Sequence, residues 1–292
     1  MATTFNDGLS PASNNSTTFR TLCSFFEQAL TAAGWVQTSD TGQTAAASLA
    51  GTSATNTAVG YQIWRMNDAL QATNPVFMKI EFGTGAVTSG VGIWITIGTG
   101  SNGSGTLTGH VSSRNLYYAN ATSASLFPCF ASGSTSRISF LMCLTYLTPN
   151  VTFAFGVERS KDASLEDTGA GVMIQGTSTG YSAGSWQYLP FVGSIRLPQV
   201  SPCCPVFGSG AQTSLALGNQ VGVLPILPYA VTGPVNPGFN FMAYWTLDTA
   251  PKNALPVVIK GAMHTYITLG LPFGWTPAIA NWTFSSFMMR YE

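Results

Sequence analysis

The stretch Val76–Gly100, VFMKIEFGTGAVTSGVGIWITIGTG, decides the fold class. It contains two runs rich in aromatic and β-branched residues, Val76–Phe82 and Val91–Ile97, and turn-forming residues flank both. Short apolar runs with such boundaries are typical of β-strands. They also end well short of the ~18 consecutive apolar residues that a membrane-spanning helix needs. The stretch therefore predicts strands, and we expect no membrane partner.

The same pattern recurs along the chain. We predict further strands at Val59–Met66, Arg137–Leu147, Val151–Glu158, Trp186–Leu197, Phe239–Leu247, Pro256–Ile259, Met263–Leu269 and Trp282–Arg290. The segment Leu147–Asn150 contains Pro and Asn and is predicted to be a hairpin connection.

One segment, from about residue 16 to residue 33, has a helical pattern. Its apolar residues recur every three or four positions, which places them on one face of a helix. We expect Ser16 or Thr17 to cap its start and Gly34 to end it. The sequence thus predicts a mainly β fold: antiparallel, β-sandwich-like sheets, one amphipathic N-terminal helix, and long loops rich in Gly, Ser and Thr.

Proline placement suggests how the chain is divided. Seven of the 16 prolines lie between Pro198 and Pro237, and such clusters mark connections. The C-terminal unit could equally belong to one domain with the rest. We interpret the chain as an extended N-terminal arm (1–15), a helix plus a larger β domain (16–197), a Pro-rich connection (198–238) and a C-terminal β unit (239–292).

The N-terminal arm is polar and lacks helical periodicity. Phe5 and Leu9 are its large apolar residues, so we expect them to make assembly contacts. A polar segment with few anchors is expected to become ordered only on contact with a partner.

Charged residues are scarce. The 292 residues include 11 basic and 11 acidic ones, or 8%, against roughly 25% in an ordinary domain. The chain is 45% hydrophobic, which excludes disorder. The basic residues are spread singly, which argues against nucleic-acid binding. A neutral exterior suits burial against other protein copies, because desolvating Ser, Thr and Gly costs less than desolvating charges.

Neither a disulfide framework nor a bound cofactor is expected. Five cysteines are an odd number, and the N-terminus lacks a secretory signal, so we interpret the cysteines as buried thiols. The adjacent Cys203 and Cys204 could instead form a vicinal disulfide or a soft metal site. With only His110 and His264 in the chain, a zinc site built from histidines is nearly excluded.

Two motifs imitate enzyme signatures. The segment 98–103, GTGSNG, has the glycine spacing of a dinucleotide-binding loop, but no helix pattern follows it, so we interpret it as a β-loop. Ser182 lies in a Gly-Tyr-Ser-Ala-Gly motif, and Asp248 and His264 follow in the order found in α/β-hydrolases. That motif requires a strained strand-to-helix turn at the serine, and the residues after Ser182 do not indicate a helix. A serine hydrolase therefore remains a less favoured alternative, and we do not expect an enzyme.

Six charges lie within ten residues: Glu158, Arg159, Lys161, Asp162, Glu166 and Asp167. The mixture of signs favours a self-compensating, solvated hairpin tip. The carboxylates could alternatively hold calcium or contact a glycan.

The sequence resembles virion structural proteins of tailed bacteriophages. The resemblance is to the class as a whole, covers roughly the first hundred residues and carries over no site residues. It rests on the composition and on four stretches: Phe25–Val36, Tyr61–Asp68, Pro75–Gly83 and Ile93–Gly100.

The resemblance implies a multicopy structural subunit of the tail or baseplate, or of the neck or head surface, made in the host bacterial cytoplasm and resident in the virion. Its partners would be further copies of itself and other virion proteins. The alternative is a carbohydrate- or receptor-binding β-module of a phage appendage. In that case Trp186, Tyr188 or Trp275 would stack on a host-surface glycan.

Overall fold

A computed structural model describes residues 2–176, apart from 11, 87, 113, 119–126, 144–151, 163 and 165, and beyond residue 176 only strand segments. The helix α1 spans Ser16–Ala33, and a short 3₁₀ turn spans Ala46–Ser48. The strands are β1 (Ala2–Leu9), β2 (Val36–Gln37), β3 (Thr57–Arg65), β4 (Phe77–Thr84), β5 (Val91–Gly98), β6 (Gly100–Ser101), β7 (Leu107–Thr108), β8 (Asn115–Tyr118), β9 (Phe127–Ser134), β10 (Arg137–Cys143), β11 (Thr152–Lys161), β12 (Asp167–Gly176), β13 (Gln187–Leu189), β14 (Gly222–Pro225), β15 (Tyr229–Ala230), β16 (Gly233–Pro234), β17 (Phe241–Trp245), β18 (Ala254–Ile259), β19 (Ala262–Thr268) and β20 (Ser285–Arg290).

The described strands form three main sheets and two short ladders, all antiparallel. The first sheet has the order β1-β9-β10-β11-β12-β13, the second β2-β3-β4-β5-β8, and the third β14-β17-β20-β19-β18. The short ladders pair β6 with β7 and β15 with β16. The expected fold class, mainly β with antiparallel sheets and one N-terminal helix, is confirmed.

The bounds of helix α1 follow from its caps. Asn15 begins the helix, since its Oδ1 accepts hydrogen bonds from the N–H groups of Thr17 at 2.9 Å and Thr18 at 3.3 Å. The expectation that Ser16 or Thr17 would be the cap was therefore wrong by one or two residues. Gly34 ends the helix as expected, because its φ of 85° is left-handed and unstrained only for glycine.

The core joins helix α1 to both of the first two sheets. The Phe26 ring centroid lies 4.6 Å from that of Phe140 in the first sheet and 6.2 Å from that of Phe82 in the second. A third ring, that of Phe155, is stacked on Phe26 at 6.2 Å. All four side chains are buried, so Phe26 is one residue through which the helix contacts both sheets.

Strands with strong apolar runs were predicted to within a few residues. The long strands β1, β9 and β12 were missed, as were the short strands β2, β6, β7, β8, β14, β15 and β16. The sequences of β9 (FPCFASGS) and β12 (DTGAGVMIQG) are rich in Gly, Ser and Ala, which have weak intrinsic strand preference. Neighbouring strands on both sides hold them in the sheet. The predicted hairpin connection at 147–150 lies outside the described residues, although the strands it would join, β10 and β11, do pair.

The N-terminal arm is an edge strand of the first sheet. β1 pairs with β9 in regular register from Ala2 opposite Gly133 to Asn6 opposite Cys129, and the register shifts before Leu9. Leu9 is 1% exposed and belongs to the core. The structure thus places the arm against β9 of the same chain and Leu9 in the core. The expected ordering of the arm on contact with a partner and the expected assembly contacts of Phe5 and Leu9 stay predictions. The division of the chain at 198–238 stays a prediction.

Candidate functional site

The most informative feature of the molecule is where its few charged groups lie. Among the side chains that the structure describes, only Arg114, Asp162, Glu166 and Asp167 are charged and exposed. The other charged side chains of that part are buried or half-buried. The exterior of the described part consists mainly of Thr, Ser, Asn, Gln, Gly and Ala. It therefore exposes even fewer charged side chains than the low charge content of the sequence would allow.

Arg159 makes a buried ion pair with Asp68. Its side chain is 0% exposed, and its Nε and Nη2 donate to the two carboxylate oxygens of Asp68 at 2.8 and 2.9 Å. Its Nη1 donates to the carbonyl oxygens of Asn74 at 2.7 Å and Gly169 at 3.2 Å. The guanidinium thus ties the first sheet to the loop between β3 and β4 of the second.

Both charged residues of helix α1 point toward the neighbouring loop. Arg20 donates from Nε to the Leu49 carbonyl oxygen at 2.6 Å. Glu27 accepts from the N–H of Ala46 at 3.0 Å and from Nε2 of Gln62 at 2.8 Å. The exposed face of the helix consequently carries no charge and presents residues such as Thr17, Thr21, Gln28 and Thr31.

Asp40 holds together two loops at one end of the second sheet. Its carboxylate accepts hydrogen bonds from the Ser101 hydroxyl and, at 3.1 Å, from the N–H of Gly105. Burial raises the pKa of this carboxyl, but the hydrogen bonds from Ser101, Thr38 and Gly105 outweigh burial and hold the pKa below its usual range. Asp40 is therefore an ionised anchor of the β6–β7 ladder.

The charge cluster at 158–167 is only partly a solvated tip. Lys161 pairs with Asp167, and Asp162 caps the turn by accepting from the N–H groups of Ser164 and Glu166 at 2.8 and 3.0 Å. Glu158 and Arg159, however, are 2% and 1% exposed. The prediction of a wholly solvated cluster was wrong for these two residues, because β11 runs into the protein interior before it reaches the tip.

Two cations lie over aromatic rings on the outer face of the second sheet. The Arg114 guanidinium carbon is 4.4 Å from the Trp94 ring centroid, and its Nε donates to Glu81 at 2.7 Å. Lys79 lies 4.5 Å from the centroid of Tyr61. Trp94 is 3% exposed, so its ring face is not available to a sugar. In the described part, Val111 is the exposed large hydrophobic side chain.

The residues of the alternative functions are mostly not described. Ser182 and Asp248 lie outside the described residues, and the backbone of His264 is in β19 opposite Val257 of β18. The hydrolase triad is therefore not assembled by anything that the structure describes. Trp186 and Trp275 also lie outside the described residues. Tyr188 is in β13 opposite Val172 of β12.

The glycine-rich motif at 98–103 is part of a β structure. Gly98 ends β5, and β6 then pairs with β7. Gly103 adopts a left-handed φ of 79° at the turn. Because no helix follows it, the segment lacks the helix N-terminus that would face a dinucleotide phosphate, and the interpretation as a β-loop is confirmed.

Two cysteines of the described part, Cys23 and Cys129, are buried and not disulfide-bonded, and burial raises the pKa of the Cys23 thiol. Cys203 and Cys204 lie outside the described residues. Within the described ranges, no group of three or more His, Cys, Asp or Glu side chains could hold a metal ion. None of the helices described is both long enough and apolar enough to cross a membrane.

The chain matches no known protein-family model and no curated protein sequence. What the structure defines is the class: a mainly β protein with antiparallel sheets and one N-terminal helix. The buried Arg159–Asp68 pair had no signal in the sequence, since the two residues are 91 positions apart.

Proposed function

We propose that this chain is a structural subunit of a bacteriophage particle, present in many copies in the tail or baseplate, or in the neck or head decoration. The observation that carries the proposal is the neutral exterior: in the described part only four charged side chains are exposed, and three of them lie at the β11–β12 tip. The resemblance of the first hundred residues to phage virion proteins is the reason for placing this assembly in a phage particle.

The physical argument concerns desolvation. A subunit that is buried on several sides must remove water from most of its surface, and each unpaired charge on that surface would add a large penalty. This chain buries the Arg159–Asp68 pair and bonds other charges, such as Arg20 and Glu27, to neighbouring uncharged groups of the same chain. It leaves mainly hydroxyl, amide and small side chains outside. Such groups can be buried against another subunit by forming hydrogen bonds. The proposal makes the chain a non-enzymatic assembly component of the virion.

The test uses the phage particles that a host carrying this gene produces. Mass spectrometry of purified virions is expected to detect the chain in many copies. Antibody labelling followed by electron microscopy is expected to place it at the tail, baseplate, neck or head surface. Absence of the chain from purified virions would refute the proposal. A virion with only one or a few copies would contradict the multicopy role.

A further inference from the structure

The turn between β6 and β7 contains the one Asn-Gly sequence of the chain, Asn102-Gly103. Both residues are exposed, and Gly103 has a left-handed φ of 79°. A Cβ added at Gly103 would meet no atom within 4 Å apart from those of its chain neighbours. The peptide bond between Asn102 and Gly103 is therefore accessible to water and has free space around it, so the backbone can rearrange there.

Two main-chain N–H groups hold the Asn102 side chain by its oxygen. The Oδ1 atom accepts hydrogen bonds from the N–H of Ser104 at 2.9 Å and from the N–H of Thr106 at 3.1 Å. Donors on a carbonyl oxygen stabilise the negative charge that a nucleophile places on that oxygen when it attacks the carbon. These two hydrogen bonds thus activate the side-chain carbon Cγ of Asn102.

The main-chain nitrogen of Gly103 is a nucleophile next to this carbon in the chain. Its N–H donates to Ser101 Oγ at 3.4 Å, which is long for a hydrogen bond. The Ser101 hydroxyl donates its own hydrogen to the Asp40 carboxylate, so its oxygen is left to accept the Gly103 proton. Glycine has no Cβ, which leaves the backbone free to turn this nitrogen toward the side chain. A bond from the nitrogen to Asn102 Cγ closes a five-membered ring.

We propose that Asn102 is a site of spontaneous deamidation. The Gly103 nitrogen forms a bond to Asn102 Cγ while the bond from Cγ to Nδ2 breaks. The proton lost by the Gly103 nitrogen is balanced by the one that Nδ2 gains as it leaves as ammonia, and the product is a succinimide. Water from the solvent then hydrolyses the ring. Cleavage at Cγ gives aspartate at position 102, and cleavage at the main-chain carbonyl gives isoaspartate.

A second turn of the chain indicates that aspartate fits at this position. In the turn between β11 and β12, Asp162 Oδ1 accepts from the N–H groups of Ser164 and Glu166 at 2.8 and 3.0 Å. The N–H of Asp162 donates to the Glu166 carbonyl oxygen at 3.0 Å, and the N–H of Asn102 donates to the Thr106 carbonyl oxygen at the same distance. The two turns therefore share three hydrogen bonds at the same spacing. A carboxylate at position 102 keeps these bonds and strengthens those it accepts, whereas isoaspartate adds a methylene to the main chain and disrupts the spacing.

The test is incubation of the full chain at mildly alkaline pH, followed by trypsin digestion and mass spectrometry. The tryptic peptide 80–114 has Asn102 as its one amide side chain, so conversion of an amide to an acid in this peptide reports on that residue. The converted fraction is expected to rise with time. An unchanged peptide 80–114 overturns the proposal.

Asn15 is the internal control in the same digest. Its Oδ1 also accepts hydrogen bonds from two N–H groups, but the next residue is Ser16, whose nitrogen is held in the first turn of helix α1. Asn15, located by fragmentation of its peptide, is expected to remain an amide. Equal conversion of Asn15 and Asn102 would refute the role of the Asn-Gly turn.

Variants separate the reaction from the fit of its product. In Asn102→Gln the conversion in peptide 80–114 is expected to be lost, because a glutamine must close a six-membered ring; conversion at the wild-type rate refutes attack by the Gly103 nitrogen. Asn102→Asp places the product in the turn directly and is expected to keep the wild-type Tm. Ser104→Asp is the matched control, since it adds the same charge at an exposed residue of the same turn. A Tm of Asn102→Asp below that of Ser104→Asp contradicts the fit of aspartate at position 102.

Discussion

Replacing Arg159 with methionine tests whether charge placed inside the protein stabilises it. Methionine keeps much of the aliphatic volume but removes all four hydrogen bonds of the guanidinium, two to Asp68 and one each to the carbonyl oxygens of Asn74 and Gly169. The Asp68 carboxylate is then left without its cation.

Breaking a buried ion pair by removing one partner costs about 3–5 kcal/mol. Asp68 is 12% exposed and regains some hydration, so we expect the lower end, a loss of about 3 kcal/mol in the free energy of unfolding. For a chain of 292 residues that corresponds to a fall in Tm of roughly 5 °C. Urea unfolding followed by tryptophan fluorescence measures the change.

The matched control is Lys161→Met, two residues further along β11. Its ion pair with Asp167 is 25% and 32% exposed, and a pair so close to solvent contributes about 0–1 kcal/mol. In a double-mutant cycle with Asp68→Asn, the two changes at the buried pair should be less than additive. The reasoning is refuted if the free energy of unfolding of Arg159→Met lies within about 1 kcal/mol of the wild-type value and cannot be distinguished from that of Lys161→Met.

Two further variants test the core and the Asp40 network. Phe26→Ala should lower the free energy of unfolding by about 3–5 kcal/mol, measured by urea unfolding, and Phe26→Leu by clearly less; equal losses would contradict the role of the ring. The pKa of Asp40 is lowered by folding, so its carboxylate stabilises the fold above the unfolded-state pKa, about 4, and this contribution is lost as pH falls through the folded-state pKa. Asp40→Asn should therefore be less stable than wild type at neutral pH, and unfolding measured over acidic pH should show the difference shrinking below about pH 4. A difference that stays constant over this range would contradict the role of the ionised carboxyl.

Sequence patterns predicted the elements whose signals are local. Helix α1 was predicted at its observed bounds because apolar residues at three- and four-residue spacing and a terminal glycine are properties of adjacent positions. β4 and β5 were predicted because their runs of aromatic and β-branched residues, with turn-forming residues on both sides, are also local signals. β9 and β12 were missed because their Gly- and Ser-rich sequences become strands through pairing with neighbours distant in the chain.

The features on which the proposed assembly role depends show the same difference between what was predictable from the sequence and what was not. By itself, the sequence determined the mainly β class, the single helix and the scarcity of charge, since composition and short-range periodicity encode them. Only the tertiary structure decided that Arg159 turns inward to Asp68, that the charges of helix α1 face a loop, and that the N-terminal arm is an edge strand. Each of these depends on which distant segments meet in space, and contacts between residues as far apart as 91 positions leave no mark on the local pattern of either.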